Sequence, residues 1–295
     1  MPSLRRIFYR SPLHRPALGA HAAYWKARYQ LSSPASDDQR PRTFAVGLFR
    51  TGTHSLTKMV APHMKAAHEP HRFLFVQQWR RFSQGDLTPE EWERFLRARD
   101  RVLGLSLESS GFLCGEVPRL VRLFSDARFI LTIREPVSWA RSLLREIVVN
   151  RRRLGCHYYE PLFRAWFGSD GFGKGDEDLK RRNLFPFSGM MKYWSSSQQA
   201  VIESVPPNQL LVLPTDEVSS RLADIESFIG LPAGSIDPAG SHTHRSNWDW
   251  DPLEDVSGTY LNECIAEYAS PFLEQFDRFT PGRRKTGFRN RGIAG

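Results

Sequence analysis

Cysteine is scarce in this 295-residue chain: Cys114, Cys156 and Cys264 are odd in number and far apart. Such a set builds neither a disulfide framework nor a metal-ligand pattern, and a reducing, cytoplasmic compartment suits it. No apolar run approaches the roughly 20 residues that a helix needs to cross a bilayer, so no transmembrane segment is expected. The N-terminal MPSLRRIFYRSPLHR carries positive charge without an uninterrupted apolar centre, and so does not read as a secretory signal. The histidines and carboxylates of 242–251 lack recognised ligand spacing, so no metal is expected. No internal repeat is visible.

Acidic residues are also in deficit. Against 41 Lys and Arg stand 32 Asp and Glu, a net charge of +9. That balance favours an anionic partner, whether nucleic acid, an acidic membrane surface or a multiply charged small molecule, without choosing among them. With 40% hydrophobic and 25% charged residues the composition is that of an ordinary globular protein, long enough to bury a substantial core.

What the chain does contain is a strand, a small-residue turn and a helix start in Thr43–Leu56, TFAVGLFRTGTHSL. Phe44-Ala45-Val46 is an apolar run suited to a buried parallel strand, and Gly47 and Gly52 bracket the loop. Backbone N–H groups at such a turn and in a first helical turn have no partner inside the helix, and they attract anions. The spacing Gly47-x4-Gly52 matches the start of a Walker A loop, but Thr53 and His54 stand where that motif places Lys and Ser or Thr. The cation is supplied instead by Arg50, whose guanidinium can fork onto a phosphate.

The same order recurs at Arg128–Ile133, the clearest strand of the chain, which stops at Arg134-Glu135-Pro136 before a helix over 138–149. Ligands of open α/β sheets bind beyond the carboxyl ends of strands, so both turns are expected to open into one crevice. Arg134 leaves the strand there, and Ser142 follows about two helical turns later. Between the two turns, Ala67–Phe73 is a short loop crowded with Glu69, His71 and His68, any of which can serve as a base or be merely solvated.

Elsewhere the patterns predict helices over 20–29, 54–65, 115–127, 188–204 and 259–276, one or two more over 79–101 with a start at Thr88-Pro89-Glu90-Glu91, and strands over 102–107 and 209–213. The expected organisation is an N-terminal basic extension (1–42), an α/β domain (43–280) with a flexible aromatic and basic cover at about 150–187, and a basic tail (281–295). The fold class is α/β: a three-layer, P-loop-like fold with a central, mostly parallel sheet flanked by helices.

Two anion-binding turns, one a Walker-like loop with Arg in place of Lys, resemble those of the sulfotransferases that use 3′-phosphoadenosine 5′-phosphosulfate. Val46–Leu56 is similar to their 5′-phosphosulfate loop, and Leu131–Pro136 through Ser142 to their 3′-phosphate motif. The likeness continues more loosely through Tyr193-Trp194 and Leu210–Leu213. It implies that Arg50, Thr51, Gly52, Thr53, His54 and Ser55 hold the 5′ end, that Arg134 and Ser142 hold the 3′-phosphate, and that Arg245 belongs to a closing segment. It also implies a base, with Glu69 ranked first, His71 second and His68 third. The product would be 3′-phosphoadenosine 5′-phosphate, the acceptor a small-molecule, lipid or carbohydrate hydroxyl, and no metal would be required. The rival readings are a nucleotide-dependent kinase with a degenerate loop and a basic nucleic-acid-binding module.

Overall fold

The computed structural model describes residues 14–31, 40–154, 159–237 and 250–279. Five short strands build one sheet: β1 (Thr43–Ala45), β2 (Ala66–His68), β3 (Leu107–Ser109), β4 (Arg128–Ile133) and β5 (Leu210–Pro214). Their spatial order is β2-β3-β1-β4-β5, and every neighbouring pair is parallel. Parallel neighbours need crossovers, which helices supply. The helices are α1 (His14–Leu31), which precedes β1, then α2 (Thr53–Val60), α3 (Arg72–Ser83), α4 (Pro89–Leu103), α5 (Val117–Leu123), α6 (Pro136–Leu154), α7 (Glu160–Phe167), α8 (Glu177–Arg181) and α9 (Phe187–Ser204) between the strands, and α10 (Leu222–Ile229), α11 (Gly258–Cys264) and α12 (Ser270–Phe279) after β5.

Successive strand side chains point to opposite faces, and the core divides accordingly. Phe44, Phe129, Leu131 and Val212 pack with α3, α4, α6 and α9 on one side. Ala45, Ile130 and Leu213 pack with Leu56, Met59 and Val60 of α2 and Ile225 and Ile229 of α10 on the other. The result is the expected three-layer α/β arrangement. The connection leaving β1 runs toward one side of the sheet, to β2, and that leaving its neighbour β4 runs toward the other, to β5, so the crevice falls at the carboxyl ends of β1 and β4.

Local chemistry explains several boundaries. α4 starts where expected because Thr88 accepts from the Glu91 amide at 3.2 Å while the Glu91 carboxylate accepts from the Thr88 amide at 2.8 Å. It runs on through Leu103 and ends at Gly104, whose φ of 53° is left-handed. The strand anticipated at 102–107 therefore begins only at Leu107. α2 stops at Val60, short of residue 65, and Ala66–His68 pairs with β3 as an edge strand where a polar loop was expected. In the stretch anticipated as a cover, α7 sinks Phe163 and Phe167 into the main core. The last helix is interrupted by a π turn at Ile265–Ala269.

A buried ion pair fixes the sheet's β2–β3 side. Arg99 of α4 donates from Nη1 and Nη2 to the two carboxylate oxygens of Glu108 in β3, each at 2.7 Å, and from Nη2 to the Pro70 carbonyl at 2.9 Å. Both side chains are 5% exposed. Removing one partner leaves the other as an uncompensated buried charge, which costs roughly 3–5 kcal/mol. Arg99→Leu should thus lower the unfolding free energy by about that amount in urea titrations, and Glu108→Leu added to it should recover part of the loss.

Candidate active site

The loop after β1 is seated on β4. The Val46 amide donates to the Ile130 carbonyl at 2.9 Å, extending the pairing past the end of β1. A Cβ on Gly47 would lie 1.9 Å from Thr132 Oγ1, so only glycine fits that close approach. Thr51, fully buried, bonds Thr132 through the two hydroxyls at 2.8 Å and the Leu48 carbonyl at 2.6 Å. Thr215, just beyond β5, donates to the Thr51 carbonyl at 2.8 Å. Gly52, at φ 93°, is the N-cap of α2 and offers no capping side chain, so the helix start faces the crevice without an internal acceptor at that position.

Arg134 enters from the end of β4. Its Nη1 donates to the Arg50 carbonyl at 3.2 Å and its Nε to Ser138 Oγ at 2.9 Å. The two guanidinium-bearing residues are therefore neighbours on one edge of the sheet. Arg50 itself turns to α6, donating from Nε to Ser142 Oγ at 3.2 Å. Glu135 closes the α6 start by accepting from the amides of Val137 at 2.9 Å and Ser138 at 2.6 Å. Indole donors brace the edge from behind, Trp139 to the Phe49 carbonyl and Trp194 to the Arg134 carbonyl. Burial, then the charge of Arg50, hold the Arg134 guanidinium below its usual range; Arg145 and Arg141 act the same way and Glu135 opposes them. Cations crowded in this way favour an anion among them.

Glu69 lies just past β2, its amide bonded to the Ser109 carbonyl at 2.9 Å. Its side chain is 8% exposed, and burial pushes the carboxyl up to about 7, with Arg72 pulling down and Glu146 of α6 pushing up. His68 sits beside it, Nε2 at 3.7 Å from Glu69 Oε1, and its Nδ1 meets Ser109 Oγ at 2.9 Å. Ser109 in turn donates to the Thr53 carbonyl at 2.9 Å, tying β3 to the start of α2. A carboxyl that titrates near neutrality beside an anion site can take a proton from a bound hydroxyl. Arg50, Glu69 and His71 are three of the four non-glycine residues with positive φ among the described residues, and such strain gathers at functional sites.

The predicted residues divide as follows. Arg50, Thr51, Gly52, Thr53, Arg134 and Ser142 converge on the strand tips. His54 and Ser55 continue the first turn of α2, and the His54 ring packs edge-on against His68 with centroids 5.1 Å apart. His71 is turned elsewhere: its ring stacks on Trp25 of α1 at 3.8 Å, and its Nδ1 meets Tyr29 Oη at 2.5 Å. Ser142 is paired with Arg50, and it is Ser138 that meets Arg134. Arg245 and the rest of 242–249, most of the linker after α1 and the basic tail lie outside the described residues. Sequence reasoning missed Thr132, Ser138 and Glu146. A signal existed for Ser138, four residues after Arg134 and so one helical turn on.

A family profile described as "Sulfotransferase domain" matches residues 42–224, and the chain belongs to that sulfotransferase family. In sequence, no curated protein matches it. Among solved structures it is similar to sulfotransferase STF9 from Mycobacterium avium, with a TM-score of 0.52 at 14% identity over 88% of this chain and 86% of that one. A sulfotransferase from Alicyclobacillus acidocaldarius gives a TM-score of 0.46 at 16% identity over 79% of this chain and 96% of that one. The likeness to STF9 is one of fold. No helix among the described residues is long and apolar enough to cross a membrane.

The position of His71 has a measurable consequence. Burial first, and then Arg99, His21 and Arg28, lower its pKa from 6.5 to about 4, while burial raises the Tyr29 phenol to about 12, so the phenol donates to a neutral imidazole. The folded state then resists a proton that the unfolded chain accepts, and stability falls as pH drops from about 6.5 to about 4. The raised Glu69 carboxyl gives the opposite slope between about 4.5 and 7. The effect is therefore read as a difference: the stability advantage of wild type over His71→Asn, a residue tolerant of left-handed φ, should shrink through that window in urea titrations at pH 7, 5 and 4.

Proposed function

We propose that the chain transfers a sulfuryl group from 3′-phosphoadenosine 5′-phosphosulfate to a hydroxyl of a small-molecule, lipid or carbohydrate acceptor, with 3′-phosphoadenosine 5′-phosphate as the other product. The observation that carries this reading is the meeting of Arg50 and Arg134 at adjacent strand tips, with the Glu69 carboxyl on the same edge of the sheet. The residues suit such a donor: Arg134 is crowded by Arg50, Arg141 and Arg145, and a polyanion relieves that repulsion. The scarcity of cysteine fits a cytoplasmic enzyme.

When bound, the donor supplies an activated sulfuryl group on a doubly phosphorylated adenosine leaving group. Arg50 and the turn from Thr51 to Ser55 hold the 5′ end and offset the charge that develops there. Arg134 and Ser142 hold the 3′ end, and the separation of the two grips fixes the line of attack. Arg245 supplies a further cation from the segment that follows. Glu69, ionised, accepts the acceptor's hydroxyl proton on its carboxylate, with His68 beside it.

The two arginines should separate kinetically. Arg50→Ala, which removes charge stabilisation at the reacting end, should lower kcat by about 100-fold or more. Arg134→Ala should chiefly raise the donor KM, by about 10-fold, because it loses a charge-assisted grip remote from the sulfur. Wild-type kinetics in both variants would overturn the assignment of the turns.

Glu69 must be ionised to act, and its carboxyl titrates at about 7, so kcat should rise with pH and level off above that value. Glu69→Gln should lower kcat by about 100-fold or more and abolish that limb of the profile. A profile flat from pH 5 to 8 in the wild type would assign the base elsewhere.

A further inference from the structure

One charged contact at the mouth of the crevice has no part in the chemistry above. Arg50 Nε reaches two acceptors of α6 one helical turn apart, Ser142 Oγ at 3.2 Å and Glu146 Oε2 at 3.5 Å. The Arg50 and Glu146 side chains are 27% and 35% exposed, so the pair lies where an entering ligand meets it. Glu146 also bears on Glu69. The charged and titratable groups facing Glu69 are Arg72 of α3, His68 of β2 and Glu146 of α6, and among them Glu146 is the anion.

A guanidinium forks onto one anion well, and a partly exposed ion pair is weak, so a carboxylate at 3.5 Å yields readily to a phosphate or sulfate. We infer that Glu146 is a positioning residue: it holds Arg50 against α6 while the anion site waits, releases the guanidinium to the 5′ end of the donor, and keeps negative charge beside Glu69 throughout. The first part of this inference rests on the donor reading above. Glu146 thereby opposes donor binding while strengthening the base, so a single carboxylate sets the balance between donor affinity and proton affinity.

The test uses the full chain as Glu146→Gln and Glu146→Asp. Calorimetric titration with 3′-phosphoadenosine 5′-phosphate should give about 2- to 5-fold tighter binding for Glu146→Gln, since the competing charge is gone, with Glu146→Asp returning toward wild type. Carbon-13 NMR titration of the Glu69 carboxyl, without any ligand, should place its midpoint about half a pH unit lower in Glu146→Gln and near wild type in Glu146→Asp. A merely structural role moves neither in this pattern. Unchanged or weaker nucleotide binding by Glu146→Gln, or an unmoved Glu69 midpoint, overturns the inference. If the wild type binds no nucleotide, the donor reading fails by itself; the Glu69 midpoint then decides on Glu146, supporting its role if it moves and overturning it if it does not.

Discussion

The seat of the loop after β1 depends on a side chain that is not there. At Gly47 even one added carbon would collide with Thr132 Oγ1 and with the Thr132 carbonyl, so the loop can lie flat on β4 only with hydrogen at that position. From this contact the other relations follow. Thr51 reaches Thr132, the Arg50 carbonyl is presented to Arg134, and Thr215 from beyond β5 takes the Thr51 carbonyl. Three strand tips become one edge, and Arg50 holds its left-handed φ where its side chain turns to α6.

On that edge the electrostatics are unbalanced in a useful way. Burial and the cations gathered around Arg134 raise the cost of its charge, while Glu69, set apart past β2, is starved of solvent and clings to its proton. Both departures come mainly from burial, which penalises the charged form of either group. Crowded cations next to a carboxyl poised near neutrality suit the proposed polyanionic donor and the movement of one proton. Glu135, by contrast, is consumed structurally: its carboxylate accepts from the first amides of α6.

Much of this was legible in the chain, because strand-to-turn transitions carry strong local signals. Thr43–Leu56 and Arg128–Pro136 announced the two turns through apolar runs that end abruptly at Gly or Arg. Glu69 stood first of three candidates through the resemblance alone, since nothing local separates it from His68 and His71; where each side chain lies depends on which neighbour it meets. For His71 that neighbour is α1, distant in sequence and joined by the stacking of Trp25. β2 escaped notice because an edge strand of Ala-Ala-His is too short and too little apolar to show a period. Phe163 and Phe167, which composition made part of a cover, are core residues because α7 presents them inward at helical spacing. Glu146 could not be found at all: as a glutamate on an amphipathic helix it looks like any solvated residue until Arg50 arrives from the loop after β1.

The grip of Arg99 has one more consequence. By bonding the Pro70 carbonyl as well as Glu108, it fastens the turn that carries Glu69 to the interior of the sheet. That wall of the crevice can swing out only by tearing charges from a dry environment, which makes it the stationary jaw. On the opposite wall α6 is held by its buried face and, toward the later chain, by partly exposed contacts such as Arg141 with Asp251. If Glu69 is the proton acceptor as proposed, its position is set by the buried interior of the sheet and not by the surface.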